Sequence, residues 1–465
     1  MDNEKRSSFT GKLGFVLAAA GSAVGLGNIW RFPYLAAKHG GGIFLLTYLI
    51  LTVTFGFTLL IAEIAIGRKT GLSAVGAFGA LKKKFGFIGY IESVVPIIIL
   101  PYYCVIGGWV VKYFVTTLSE SISYVLSKFS GQAPTAASAV DGFFESFIQQ
   151  PFEPLIWFAI YLVATAIVVF MGVEKGIEKV SKIMMPILIT LSVFIAGYCL
   201  FLPGALEGVK YYLLPDFSHF SFNTVLAAMG QLFYSMSLAM GIMITYGSYM
   251  KKDVNLESSV RQIELFDTGI AFLAGLMIIP SVFVFSGGDR SALGKGPGLM
   301  FVTLPKVFNS MPGGGFLGTL FFLLVLFAAL TSSISLMEAV VSIIRDRFKT
   351  SRKTAGIITL GISVILGIPS SMGHGIWNGV RIIGMNFLDF LDFISNSVIM
   401  PIVAFLTCIF IGWVVKPKVV IEEVELNGKF KSKTLFMAVL KYIAPVCIVL
   451  ILLSSVLEAF GVITL

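Results

Sequence analysis

Charge is scarce in this sequence. Of its 465 residues only 13% are Asp, Glu, Lys or Arg, 57% are hydrophobic, and the mean hydropathy is +0.92. Ordinary soluble domains are about 25% charged and about 45–50% apolar. That excludes a soluble globular domain and leaves a polytopic membrane protein. Cysteine is nearly missing: Cys104, Cys199, Cys408 and Cys447 each lie in an apolar run without paired spacing. A disulfide framework and a thiolate metal site are excluded, and the four read as small buried hydrophobes. The only histidines, His39, His219 and His374, are scattered between apolar runs, so a histidine metal cluster is excluded too. Phosphate-binding loops are also lacking, because the glycines near 288–296 have neither the spacing nor the hydroxyl after Lys295 that such a loop needs. No nucleophile stands beside a base, so no enzyme constellation remains. Nor is there a short basic-then-apolar leader with a small-residue cleavage site, and the first apolar run is expected to stay in the mature protein.

Basic residues are present in excess, with a net charge of +9. They gather at Lys5-Arg6, Lys82-Lys83-Lys84, Lys251-Lys252, Arg345 to Lys353 and Lys416 to Lys433. Recurrence on alternate connections is the pattern of loops on the cytoplasmic face of a membrane. The excess is therefore a topology signal rather than a nucleic-acid patch, and it places the N-terminus in the cytoplasm of a cell (plasma) membrane protein.

Apolar runs lie at about 10–37, 41–67, 87–122, 152–172, 178–202, 221–250, 260–286, 316–345, 354–369, 384–415 and 434–458. Eleven spans send the C-terminus outside. The expected fold is all-α, with a cytoplasmic segment 1–9 and five helices in 10–202. A second five follow in 221–415, then a cytoplasmic loop 416–433 and an eleventh helix in 434–465.

Two runs are interrupted near their centres. GSAVGLGNIWRFP at 21–33 carries three glycines, Asn28 and Arg31, and QLFYSMSLAMG at 231–241 carries Gln231, Ser235, Ser237 and Gly241. Glycine in a membrane helix also serves close packing alone. Interruptions five helices apart, at matching places of two halves, instead point to broken helices around a transporter's central site. An odd number of helices per half makes the halves run in opposite directions.

The stretches GSAVGLGNIWRFPYLAAKHGGGIF, GQLFYSMSLAMGIMITYGSY and FAALTSSISLMEA resemble the neurotransmitter:sodium symporter family, in its bacterial amino acid branch. The likeness runs from Arg6 through the eleventh helix, and a twelfth helix, usual in the family, is lacking. It implies a 5+5 inverted repeat and import by alternating access of a hydrophobic L-amino acid, with the aromatic tyrosine and tryptophan among the candidates. Two Na⁺ and the bilayer are the implied partners, without an organic cofactor. By this likeness the substrate carboxylate sits beside Leu26 and Gly27 with the Tyr103 hydroxyl. The ammonium faces Ala23, Tyr234, Ser235 and Ser237, and Ser22 and Ser332 lie alongside. Selectivity falls to Ile99, Tyr103, Tyr234, Met240 and Leu336. One sodium takes Ala23, Asn28, Ser235 and Asp267; the other takes Gly21, Val24, Ala328, Thr331 and Ser332. Arg31 with Asp392 and Arg6 with Asp346 form outer and inner gates. Glu63 and Gln231 support the broken helices, Glu63 by accepting amides of the sixth. Gly25, where amine transporters carry an acid, implies a substrate that brings its own carboxylate. Asp267 as a fixed charge implies chloride independence. Two other readings stay open: a proton driver carried on Glu63 and Asp267, and a ligand-binding membrane protein that does not transport.

Overall fold

In hydrocarbon, backbone amides must find partners within their own segment, and helices are the way a chain of branched and aromatic residues does so. A computed structural model describes residues 7–130, 137–287 and 297–459. They are mostly helical, and extended pairing among them is limited to the bridges Gly41–Pro215 and Ile382–Met385. In chain order the spans are α1a (Lys12–Ala23) with α1b (Gly27–Lys38), α2 (Gly42–Thr70), α3 (Lys83–Ser127), α4 (Glu153–Phe170) and α5 (Val173–Leu200). Next come α6a (Phe222–Ser235) and α6b (Ile242–Tyr249). The remainder are α7 (Leu256–Phe285), α8 (Gly314–Phe348), α9 (Arg352–Met372), α10 (Phe387–Val414) and α11 (Lys433–Glu458).

Nine of these described helices are long and apolar enough to cross a bilayer, and α1a with α1b makes a tenth span bent by 53°. The sixth run folds as two shorter helices, and counted as one crossing it brings the total to eleven.

Several boundaries extend past the apolar runs because polar caps define them. Asn255 accepts the Ser258 amide at 2.8 Å and starts α7 four residues before 260. Ser351 caps α9 in the same way through the Thr354 amide. The segment 416–433, expected as a loop, contains the short helix Lys418–Val424. Arg68, buried at the end of α2, anchors it by donating Nε to Glu423 at 2.9 Å and Nη1 to the Val254 carbonyl at 2.7 Å.

The centre of the bundle is built by α1, α3, α6 and α8. Helix α3 leans on α8, α1a on α7 and α8, and α6b on α2. The last contact brings backbones together: a Cβ at Gly67 would sit 1.9 Å from the Ile244 carbonyl, and one at Gly247 2.3 Å from that of Ile64. Small residues let membrane helices approach this closely. At the periphery α4, α5, α9 and α11 turn apolar side chains such as Ile160, Val193, Ile365 and Leu453 outward, as a lipid-facing surface requires.

The α2–α6b contact yields a stability prediction. Gly67→Val drives a side chain into the Ile244 carbonyl, so the thermal midpoint of the detergent-purified protein should fall by roughly 5 °C or more. An unchanged midpoint in a fluorescence melt would show that the two helices separate freely.

Candidate functional site

The first interruption follows from local chemistry. Helix α1a ends at Ala23, Val24 turns extended, and the Gly25 amide is taken by the Asn28 side-chain oxygen at 3.0 Å instead of a helical carbonyl. Helix α1b then restarts as a wide π-turn over Gly27–Arg31, a form that recurs at functional sites. In the second interruption Ser237, Ala239 and Gly241 are left-handed, with φ of 53°, 57° and 69°. That conformation penalises a residue bearing a Cβ by about 1–2 kcal/mol, so something must hold the segment. Glu63 of α2 accepts the Ala239 amide at 2.7 Å, and Glu92 of α3 accepts the Gly241 amide at 2.9 Å. Gln231 ties the interruptions together by donating to the Gly27 carbonyl at 2.9 Å.

Between them lies a cavity of about 30 Å³. From α1 it is lined by Ser22, Ala23, Gly25, Leu26, Gly27 and Asn28, and from α3 by Ile99 and Tyr103. The sixth span contributes Tyr234, Ser235, Ser237, Met240 and Ile242, and α8 contributes Ser332 and Leu336. Every residue expected in Sequence analysis to touch a substrate is among them. The Tyr103 hydroxyl is buried without a hydrogen-bond partner. Ser22 and Ser237 meet across the cavity, with the Ser237 hydroxyl donating to the Ser22 carbonyl at 3.1 Å. Glycine is a steric necessity on this wall. A Cβ at Gly25 would meet Ser332 Oγ at 2.7 Å and Tyr103 Oη at 3.1 Å, and one at Gly27 would meet the Tyr234 ring at 2.5 Å. The volume suits one or two waters, so a larger ligand requires the lining side chains to part.

Two oxygen clusters flank the cavity. In the first, Asp267 is fully buried well inside α7, which removes the possibility of an interfacial loop carboxylate. Its Oδ1 accepts from Asn28 Nδ2 at 2.8 Å and Ser235 Oγ at 2.7 Å, and its Oδ2 accepts from Tyr48 Oη at 3.3 Å. Asn28 also donates to Ser235 Oγ at 3.0 Å. In the second, Thr331 Oγ1 bonds the Phe327 and Ala328 carbonyls at 3.0 and 3.1 Å, the back-bonding usual for hydroxyls on membrane helices. Ser332 does the same to Ala328 at 3.1 Å but also reaches Gly21 at 3.5 Å, Ser22 at 3.1 Å and Val24 at 3.2 Å, all carbonyls of the broken first span. No group of three His, Cys, Asp or Glu side chains converges among the described residues; the second cluster is built of neutral carbonyls and hydroxyls, and the first adds the Asp267 carboxylate.

The gate residues engage separate partners. Arg31 lies 5.4 Å over the Tyr234 ring, while Asp392 accepts from Tyr102 Oη at 3.0 Å and Asn396 Nδ2 at 2.6 Å. Both are half-buried. Asp346 accepts from the Ser73 amide at 2.7 Å and hydroxyl at 2.6 Å; Arg6 lies outside the described residues. Sequence reasoning missed Glu92, Tyr48, Tyr102 and Asn396. Glu92 carried a signal, since an acid in an apolar run marks a functional position by the same logic as Glu63. The others are ordinary residues of their helices and carried none.

A model of the Sodium:neurotransmitter symporter family matches residues 6–141 and 144–462. An uncharacterized sodium-dependent transporter, YhdH, of Bacillus subtilis is 36% identical over 98% of this chain and 99% of its own length. One from Haemophilus influenzae is 32% identical over 98% and 99%. The sodium- and chloride-dependent taurine transporter of Rattus norvegicus is 28% identical over 88% of this chain and 71% of its own. The crystal structure of MhsT in complex with L-phenylalanine matches with a TM-score of 0.83 at 40% identity, covering 97% of this chain and 100% of that one.

Proposed function

This chain belongs to the sodium:neurotransmitter symporter family, and on that premise we propose that it imports a hydrophobic L-amino acid with Na⁺ by alternating access, without chloride. The carrying observation is the cavity at the two interruptions, where loose backbone groups and the unpartnered Tyr103 hydroxyl meet in a space that Gly25 keeps clear.

A zwitterion suits those groups. Its carboxylate takes the amides of Leu26 and Gly27 at the positive end of α1b, with Tyr103 as a further donor. Its ammonium takes the carbonyls of Ala23, Tyr234 and Ser235 with the Ser237 hydroxyl. Ile99, Met240 and Leu336 receive the side chain. Methionine is unbranched and adaptable, and MhsT, which holds L-phenylalanine, supports an aromatic or other large apolar substrate such as tyrosine or tryptophan.

Na⁺ is co-substrate, and as a hard ion it wants about five or six oxygens. We assign one ion to Ala23, Asn28, Ser235, Asp267 and the substrate carboxylate, and a second to Gly21, Val24, Ala328, Thr331 and Ser332. At the first, the Asn28 amide must turn its oxygen from the Gly25 amide toward the ion. A carboxylate shared between ion and substrate makes each raise the other's affinity. Asp267 supplies a fixed negative charge that takes the place of a chloride. We read 10–202 and 221–415 as opposed repeats, with the N-terminus in the cytoplasm and the C-terminus outside. Arg31 with Asp392 closes the outer path and Arg6 with Asp346 the inner one. A proton-driven alternative draws on Glu63 and Asp267, both buried among neutral donors.

Purified protein should bind hydrophobic amino acids only with Na⁺, and proteoliposomes should accumulate them down a Na⁺ gradient at fixed pH. Asn28→Ala, and Thr331→Ala with Ser332→Ala, should each raise the half-saturating Na⁺ about tenfold; uptake indifferent to Na⁺ and steep in pH would favour the proton driver. Binding without accumulation would mean a receptor.

Replacing chloride with gluconate should leave uptake unchanged, and collapse would end the argument from Asp267. Met240→Phe fills the pocket, so the affinity ratio of phenylalanine to alanine should drop about tenfold; an unmoved ratio in a competition assay would remove Met240 from the selectivity wall.

A further inference from the structure

The interruption of the sixth span is gripped at two points. The amide of Ala239 goes to Glu63 of α2 and the amide of Gly241 to Glu92 of α3, at 2.7 and 2.9 Å. The residue between them is Met240, whose side chain lines the central cavity. Both carboxylates are buried, and the second oxygen of each has no hydrogen-bond partner. Each acid is therefore committed to one backbone amide.

Helical bonding offers Met240 little. The last backward bond of the first half runs from the Leu238 amide to the Phe233 carbonyl at 3.3 Å, and the second half opens with Thr245 on Gly241 at 3.0 Å. The residues around Met240 are left-handed at Ser237, Ala239 and Gly241, a conformation that persists only where the surroundings over-determine it. One bond would fix a point and leave a pivot. Two bonds, one on each side, fix the direction in which the intervening side chain leaves the backbone.

We propose that Glu92 is a positioning residue for substrate selection: with Glu63 it clamps the backbone on both sides of Met240 and sets how far that thioether stands into the pocket. The inference rests on reading the cavity as an amino acid site. Freed from Glu92, the Gly241 amide relaxes, Met240 swings, and the wall that separates large from small side chains loses its place. Discrimination by one methylene in an apolar pocket amounts to about 10–200-fold, so a shift of this wall is large enough to measure.

The test is Na⁺-dependent binding of L-phenylalanine and L-alanine to the purified full-length protein, read as the ratio of the two Kd values. Glu92→Leu should cut the preference for phenylalanine about tenfold, with the half-saturating Na⁺ moving no more than about twofold. Glu92→Gln, whose side-chain carbonyl accepts the same amide, should keep the ratio within about twofold. In a Met240→Ala background Glu92→Leu should no longer change the ratio. Equal weakening of both ligands, a Gln variant that behaves like Leu, or an effect that survives Met240→Ala would each overturn the proposal in favour of a role in folding alone. If Glu92→Leu does not assemble, Glu92→Asp, one methylene short of the amide, carries the same expectation. A wild-type protein that binds neither amino acid would defeat the reading of the site itself, whereas binding with an unmoved ratio removes only Glu92's role.

Discussion

A peptide group in hydrocarbon needs a partner, and two of the described spans break off their helical bonding where they face each other across one cavity. Those two interruptions organise the rest of the structure around them. The loose carbonyls of Gly21, Ser22 and Val24 turn toward Ser332, and the Gly27 carbonyl turns toward Gln231. The cavity occupies the space the broken helices do not fill. Irregular backbone is tolerated at this depth because it is enclosed by α3, α7 and α8 and never meets lipid.

Holding such a segment requires acceptors that do not belong to it. The sixth span uses two carboxylates from different helices, and the first uses Asn28 from its own next turn. The difference has a mechanical meaning. Asn28 moves with α1b, so its grip on Gly25 travels with the element and can be exchanged for another partner. Glu63 and Glu92 sit on α2 and α3, so the grip on 239–241 depends on how the sixth span is placed against those helices. A sliding motion between them would strain the amide bonds at both neighbours of Met240.

Composition and basic loops identified a helical membrane protein, and the interruptions at 21–33 and 231–241 located its centre, because a cluster of glycines, amides and hydroxyls in one apolar run exceeds what packing and back-bonding require. The residues that line the cavity were legible through long motifs. The outer limits of the helices were not, since hydropathy stops where caps such as Asn255 and Ser351 begin to act. Glu92 escaped because it lies close to the end of its apolar run, where an acid resembles an interfacial charge until α3 is seen to begin at Lys83. Tyr48 and Tyr102 escaped for a different reason: tyrosine is at home in a membrane helix, and only the fold brings their hydroxyls to Asp267 and Asp392.

The two oxygen clusters differ in charge, and that difference bears on how a symporter could order its ligands. Around Asp267 the donors Asn28, Ser235 and Tyr48 already satisfy the carboxylate, so an arriving cation competes with three hydrogen bonds while gaining a full negative charge. Around Ser332 the partners are neutral carbonyls, which offer less attraction but also less to displace. On the assignment proposed above, a cation at the neutral cluster would have to turn aside the Ser332 hydroxyl that donates to the Gly21, Ser22 and Val24 carbonyls, whereas one beside Asp267 would have to draw the Asn28 oxygen from the Gly25 amide. On that assignment, ion binding at the charged cluster would free the Gly25 amide in the cavity wall, for which a carboxylate ligand is a natural acceptor. The ion and the zwitterion would then be coupled through backbone geometry as well as through charge, so that a site built mostly of neutral groups would demand both.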